Sequence, residues 1–126
     1  DGRPEVFVVT HGGYLMSFDG RTGTQRFAAQ CITDSGSCGD TRIGTKTGVS
    51  LADIDGDGAI EAVTQGEQRL RVYDAATGKL EVAVRSAYRG TIRAPANAPT
   101  IASVNGETWI VQPVHGVRDG QHELVV

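Results

Sequence analysis

One acidic stretch, Asp53-Ile54-Asp55-Gly56-Asp57-Gly58-Ala59-Ile60-Glu61, is the starting point for predicting the fold of this chain. Acidic residues stand at its first, third, fifth and ninth positions, and a glycine stands at the sixth. Carboxylates at this density repel one another unless a cation neutralises them. Hard oxygen donors suit Ca²⁺ better than a transition metal. The stretch therefore predicts a Ca²⁺ site, and a metal-free turn rich in Asp and Gly is the alternative.

The predicted ligands all lie within this loop. Gly58 allows the sharp turn around the ion, and Glu61 closes the site. The loop is shorter than the EF-hand pattern, whose closing Glu stands at position twelve. The segments on either side, residues 49–52 and 60–63, have the composition of strands and no helical period. The predicted ligands are four carboxylates and one backbone carbonyl: Asp53, Asp55, Asp57, Glu61 and the carbonyl of Ala59.

Composition restricts the fold and excludes some partners. The 126 residues include 17 glycines and only 6% aromatic residues, which favours many short strands joined by tight turns. A net charge of −3 gives no basic surface, so we expect no nucleic-acid partner. No apolar run approaches the roughly 20 residues of a membrane span.

The two cysteines, Cys31 and Cys38, are seven residues apart, with Asp, Ser and Gly between them. Such a segment can double back to the short Cα separation that a disulfide requires. We therefore expect a disulfide, and with it an oxidising compartment. A pair of free thiols in a cytosolic loop is the alternative.

Three segments of the chain resemble one another. Asp1, Gly2 and Glu5 match the second half of the acidic loop, 56 residues further on, and the turn at residues 19–23 matches residues 74–78. A third, weaker copy at 99–106 corresponds to residues 49–56, but Ser103, Asn105 and Glu107 replace its acids, so a second intact metal site is not expected there. Periods of about 40–55 residues with short strands are typical of β-propeller blades.

The repeat predicts an all-β chain of four-stranded antiparallel blades. Residues 48–86 form one complete blade with strands at 48–54, 60–64, 70–73 and 79–85, and residues 1–30 and 99–126 form partial blades. The connections are 30–47 and 86–98, and prolines keep the second of these out of any ladder. This is about two and a half blades, whereas closed propellers have about four to eight. We expect further blades, from the parent chain or from other copies, to complete the ring.

These segments resemble the FG-GAP/VCBS class of propeller repeats, the class found in integrin α-chain heads and many secreted bacterial proteins. The resemblance is carried by residues 51–63, 70–74 and 77–79. Residues 73–79, in which Tyr-Asp precedes Ala-Ala-Thr-Gly-Lys, also resemble quinoprotein-type propeller repeats. It implies a Ca²⁺-binding propeller that serves adhesion, ligand binding or surface assembly.

No nucleophile with an adjacent base is evident, so catalysis by this chain is not expected. Three dipeptides are predicted to occupy the turn after the second strand of each blade: His11-Gly12, Gln65-Gly66 and His115-Gly116. His11, His115 and the cysteine loop would then gather on the face opposite the metal. That face is a candidate ligand rim, and simple hairpin turns are the alternative.

The sequence thus favours a secreted or cell-surface, Ca²⁺-stabilised propeller segment with a binding, adhesion or assembly role. Its ligand would be a carbohydrate or a protein. The alternative is the propeller domain of an extracellular enzyme, of polysaccharide lyase or quinoprotein dehydrogenase type, with catalysis elsewhere.

Overall fold

The chain is all-β and antiparallel in a computed structural model that describes residues 2–39, 47–85, 91–95, 97–112, 114–118 and 121–125. For 91–95, 114–118 and 121–125 only the backbone is described. These residues contain no helix, so none of them forms a helix that could cross a membrane. The strands form sheets of two, three, three and four members, which confirms the predicted all-β class.

The first sheet contains three strands in the order β1-β2-β3. Its hairpin pairs Val9 with Leu15 and Glu5 with Asp19, and a two-residue third strand pairs with the beginning of the second. An isolated bridge also joins Phe18 of the second strand to Gln25, which lies between the second and third strands in the sequence. The strands are β1 (Glu5–Val9), β2 (Tyr14–Asp19) and β3 (Gln30–Cys31).

The second sheet is a four-stranded meander in the order β4-β5-β6-β7, as predicted for residues 48–86. Its first strand was expected to reach residue 54 but ends at Ala52, where the acidic loop begins. All six residues of β5 are buried, whereas all six residues of β7 are exposed. The strands are β4 (Val49–Ala52), β5 (Glu61–Gly66), β6 (Arg69–Asp74) and β7 (Leu80–Arg85).

The two matching segments, residues 19–23 and 74–78, form turns with the sequence Asp-x-x-Thr-Gly. Asp74 Oδ1 accepts hydrogen bonds from the Thr77 hydroxyl at 2.8 Å and the Thr77 N–H at 2.7 Å, and these bonds lower the pKa of the Asp74 carboxyl. Asp19 Oδ1 likewise accepts hydrogen bonds from the N–H groups of Arg21 and Thr22, both at 2.9 Å. Gly23 and Gly78 have φ values of 70° and 73°, the left-handed conformation that favours glycine. The two segments that resemble each other in sequence therefore form the same kind of turn.

The last two sheets divide the residues predicted to form one partial blade, 99–126, and one of them includes a strand from a predicted connection. The third sheet pairs β9 (Thr100–Val104) with β10 (Glu107–Val111), and the fourth has the order β12-β11-β8. Its strands are β8 (Thr91–Pro95), β11 (Val114–Arg118) and β12 (Gln121–Val125). The prediction that proline keeps residues 86–98 unpaired is wrong for 91–95, because Pro95 ends an edge strand, where its missing N–H is tolerated.

The core lies between the first and second sheets. Leu15, Ile32 and Ala62 are fully buried there, with Tyr73 and Ala75 beside them and Phe7 packed at the margin. Gly66 marks a close approach of the two sheets, since a Cβ at this position would overlap the backbone carbonyl of Ile32. The two sheets are thus packed too closely there for a larger residue.

A second contact between these sheets is polar. Arg71, whose side chain is only 6% exposed, donates to Asp34 of the Cys31–Cys38 loop at 2.6 Å and to the Gly66 carbonyl at 3.0 Å. The backbone N–H of Asp34 donates to the Glu67 carboxylate at 2.5 Å. A nearly buried guanidinium needs a partner charge, because an unpaired buried charge is costly. Asp34 therefore joins the loop of the first sheet to the second.

We predict that Asp34→Ala lowers the free energy of unfolding by about 2 kcal/mol, because hydrogen bonds to charged groups contribute about 1.5–3 kcal/mol. Urea unfolding measures the loss. The matched control is Ser37→Ala, an exposed position in the same loop, where a change below about 0.5 kcal/mol is expected. Equal unfolding midpoints for Asp34→Ala and the wild type would show that this ion pair does not hold the sheets together.

Candidate functional site

The acidic loop connects β4 to β5 and turns sharply at its two glycines. Gly56 and Gly58 have φ values of 82° and 90°, which a residue with a Cβ rarely adopts. The loop begins directly after Ala52 and ends at Glu61, the first residue of β5. Because the strands pair Ala52 with Glu61, both ends of the loop are fixed by the sheet.

Three carboxylates of this loop converge. One oxygen each from Asp53, Asp55 and Glu61 lies within 4.8 Å of the other two. Oxygens on opposite sides of one Ca²⁺ ion lie about 5 Å apart, twice the Ca–O distance of about 2.3–2.6 Å. The three groups therefore fit around a single cation. Asp53 and Asp55 are exposed and Glu61 is buried, so the site is open to solvent at the two aspartates.

Backbone N–H groups hold these carboxylates in place. Asp53 accepts hydrogen bonds from Gly56 at 2.7 Å and from Gly58 at 3.0 Å. Glu61 accepts the Ile54 N–H at 2.7 Å across the loop. A carboxylate oxygen has lone pairs left after one such bond. The loop is thus pre-formed around its acidic groups.

The other two predicted ligands have different positions. The Asp57 carboxylate accepts the Ala59 N–H at 2.7 Å, and Asp57 is not one of the three residues that converge. The Asp57 N–H donates in turn to the Asp55 carboxylate at 3.1 Å. Ligation by Asp57 and by the Ala59 carbonyl stays a prediction.

The electrostatics of Glu61 are unfavourable without a cation. The hydrogen bond from Ile54 acts to lower the pKa of its carboxyl. Burial and the negative charges of Asp55, Asp57 and Glu81 act in the opposite direction, and the net result is a pKa raised above the ordinary value of 4.5. A buried carboxylate held near other negative charges is what a bound cation would stabilise.

The disulfide loop lies at the opposite end of β5. Cys31 and Cys38 are joined as predicted, with their Cα atoms 5.7 Å apart. The loop contacts the β1–β2 turn through a hydrogen bond from the Gly39 N–H to the Gly12 carbonyl at 2.8 Å. His11 belongs to this turn, so the structure places it next to the disulfide loop.

The predicted position of His115 is wrong. His115 lies within β11, where its backbone pairs with Leu124 and Ala94, rather than in a turn. Gln65-Gly66 likewise ends β5, and the turn after it is formed by Glu67 and Gln68. The common turn position assumed for the three dipeptides does not exist, and a ligand rim containing His11 and His115 stays a prediction.

Sequence reasoning missed two ion pairs that join separate elements, Asp34–Arg71 and Glu5–Arg26. The second has its charged groups 2.5 Å apart, with side chains 28% and 26% exposed. One signal was available, since Arg71 interrupts an otherwise apolar stretch of β6 and a charge there requires a partner. Its partner, 37 residues away, could not be assigned from the pattern.

Comparison with known proteins gives no further assignment: no protein-family model, curated protein or solved structure matches the chain.

We predict that, in calcium-free buffer, Glu61 makes the chain less stable as pH rises. A folded-state pKa above the unfolded value favours the protonated form, so its stabilising effect is complete below pH 4.5 and disappears as pH rises through the folded-state pKa. Glu61→Gln mimics the neutral form. Its free energy of unfolding, measured with urea from pH 4 to 7, should increasingly exceed that of the wild type. A difference that does not change with pH would contradict the assigned electrostatics.

Proposed function

We propose that this chain is a Ca²⁺-stabilised segment of stacked β-sheets, of the FG-GAP/VCBS propeller class, that serves as an extracellular binding and assembly module. The observation that carries the assembly role is a pair of exposed apolar faces, one on the first sheet and one on the third. Each face presents apolar side chains to solvent, as is typical of a sheet surface that packs against another protein surface.

Calcium is the ion that suits the loop. The converging donors are carboxylate oxygens, and Ca²⁺ accepts six to eight such ligands in flexible geometry. Thiolate and imidazole donors, which favour zinc or copper, are absent from the loop sequence. With two exposed acids and one buried acid, the loop can also complete its coordination with water.

The extracellular location is supported by the disulfide. Disulfides persist in oxidising environments and are rare in the cytosol. The loop that this bond closes carries Asp34, the ion-pair partner of nearly buried Arg71. An oxidising environment would therefore help to maintain the contact between the first two sheets.

The first apolar face belongs to the first sheet. Val6 is 49% exposed and Val8 38%, and their cross-strand partners are Phe18 and Met16. The neighbouring residues on the other side of the strand, Phe7 and Val9, pack against the core shared with the second sheet.

The second apolar face belongs to the third sheet. Trp109 is 53% exposed, and Val111 and Val104 are exposed near it. The alternate residues Ile101 and Ile110 pair with each other and are only partly exposed. The third sheet contacts the second through Pro99, whose carbonyl accepts a hydrogen bond from the Ser50 hydroxyl, and the exposed apolar side chains of the third sheet lie on its Trp109 side.

We infer that the Val6 face of one copy packs on the Trp109 face of the next. The first and second sheets already pack face to face through apolar side chains of the same kind, so this contact would continue an existing interface. It is heterologous and therefore generates a ring or an open chain of copies.

The metal assignment predicts that chelation lowers the melting temperature and that Asp55→Asn abolishes this sensitivity. The stabilisation should grow by about 1.4 kcal/mol for each tenfold rise in free Ca²⁺ above the dissociation constant. Glu107→Gln is the control, since it removes an exposed acid from another sheet. Because Asp57 is not one of the three converging residues, Asp57→Asn should retain most of the stabilisation by calcium. Identical melting curves with calcium and with chelator would exclude the site.

The assembly role predicts concentration-dependent association of the wild-type chain in sedimentation velocity. Val6→Lys and Trp109→Lys should each be monomeric, because each puts a charge on one face. A mixture of the two should form heterodimers, because each variant keeps the face that the other lacks.

Thr108→Lys, an exposed neighbour on the other side of the strand, should associate like the wild type. A folded wild-type chain that stays monomeric up to about 100 μM, well above a dissociation constant of about 1 μM, would contradict the assembly role.

A further inference from the structure

A cleft between the first and second sheets, beside the metal loop, is not used by the features described so far. Its volume is about 570 Å³, within the range of about 300–1,000 Å³ that is typical of small-molecule sites. One wall comes from β1 and the segment before β3, and the other from β4, the end of the metal loop and the β6–β7 turn. The two walls contribute these residues: Gly2, Arg3, Glu5, Phe7 and Arg26 from the first, and Leu51, Ala59, Ile60 and Asp74–Ala76 from the second.

The polar groups of the cleft balance in charge. Arg3 and Arg26 bring two positive charges, and Glu5 and Asp74 bring two negative charges. Arg26 and Glu5 form a partly exposed ion pair at 2.5 Å. A guanidinium has five N–H donors in a planar fork, so this pair leaves further donors of Arg26 at the wall. A neutral ligand with several hydroxyl groups can use both donors and acceptors of this kind.

The apolar groups of the cleft are either partly exposed or small. Phe7 is partly exposed, and Leu51 and Ile60 are both about half exposed. Ala59, Ala75 and Ala76 are small, which leaves room for a ring above them. A sugar ring combines an apolar C–H face with a rim of hydroxyl groups, and it matches apolar surfaces bordered by a few polar groups.

Other ligand classes fit less well. Phosphates and other anions would meet the carboxylates of Glu5 and Asp74, and cations would meet two guanidinium groups. A purely apolar chain would desolvate these charges without replacing their hydrogen bonds.

We propose that this cleft binds a neutral saccharide, with Arg26, Glu5 and Asp74 contacting its hydroxyl groups and Phe7 contacting a ring face. The proposal rests on the binding half of the proposed function and names a ligand class for it. It does not depend on self-association, because Val6 and Val8 lie on the opposite side of β1 from Phe7.

The test is saturation-transfer NMR of the full 126-residue chain in calcium chloride, with cellobiose, maltose, lactose and diacetylchitobiose as probes. We expect at least one probe to bind with a dissociation constant near 1 mM, detectable at about 10 mM. Ala76→Leu fills the cleft from an exposed position and should weaken binding at least tenfold. Ala83→Leu, the same change at an exposed position on β7, should leave binding unchanged.

Arg26→Gln tests the polar wall and should also weaken binding at least tenfold, with circular dichroism to confirm its fold. Melting with and without chelator, and sedimentation of the same samples, report the metal and assembly roles separately from saccharide binding. The proposal is overturned if no probe binds the folded chain, if Ala76→Leu binds as well as Ala83→Leu, or if inorganic phosphate or a neutral peptide such as triglycine, but no saccharide, binds at the cleft.

Discussion

Burial of the Glu61 carboxylate is the constraint on which the centre of this structure depends. Glu61 begins β5, a strand whose six residues are all buried, and its side chain lies near two aspartates of the same loop. A charged group there is costly unless hydrogen bonds and a counter-charge compensate it. The Ile54 N–H supplies one hydrogen bond, and the proposed cation would supply the charge.

The opposite end of β5 is constrained both by close packing and by an ion pair. Gly66 lies against the Ile32 backbone, and its carbonyl accepts a hydrogen bond from Arg71, which is paired with Asp34. Polar groups within the strand are also satisfied, since the Thr64 hydroxyl donates to the Gly48 carbonyl at 2.8 Å. One strand therefore links the metal loop to the disulfide loop, and both loops help to fix how the first two sheets meet.

Sequence reasoning succeeded where the deciding interactions are local. The turn at Asp74 and the acidic loop are held by hydrogen bonds between residues two to seven positions apart, so their composition predicts them. It failed where the partner is distant. Pro95 pairs with Val114, and the Asp34–Arg71 ion pair joins residues 37 positions apart, and no local pattern specifies such contacts. Asp57 matches the metal pattern as well as Asp55 does, and only the loop geometry distinguishes them.

We propose that Asp53, Asp55 and Glu61 together hold one cation. Isothermal titration calorimetry of the metal-free chain with calcium chloride at pH 7 tests it most directly. Our account predicts a single saturable site per chain, which Glu61→Gln eliminates. The absence of a saturable site, or an unchanged site in the Glu61→Gln variant, would contradict it.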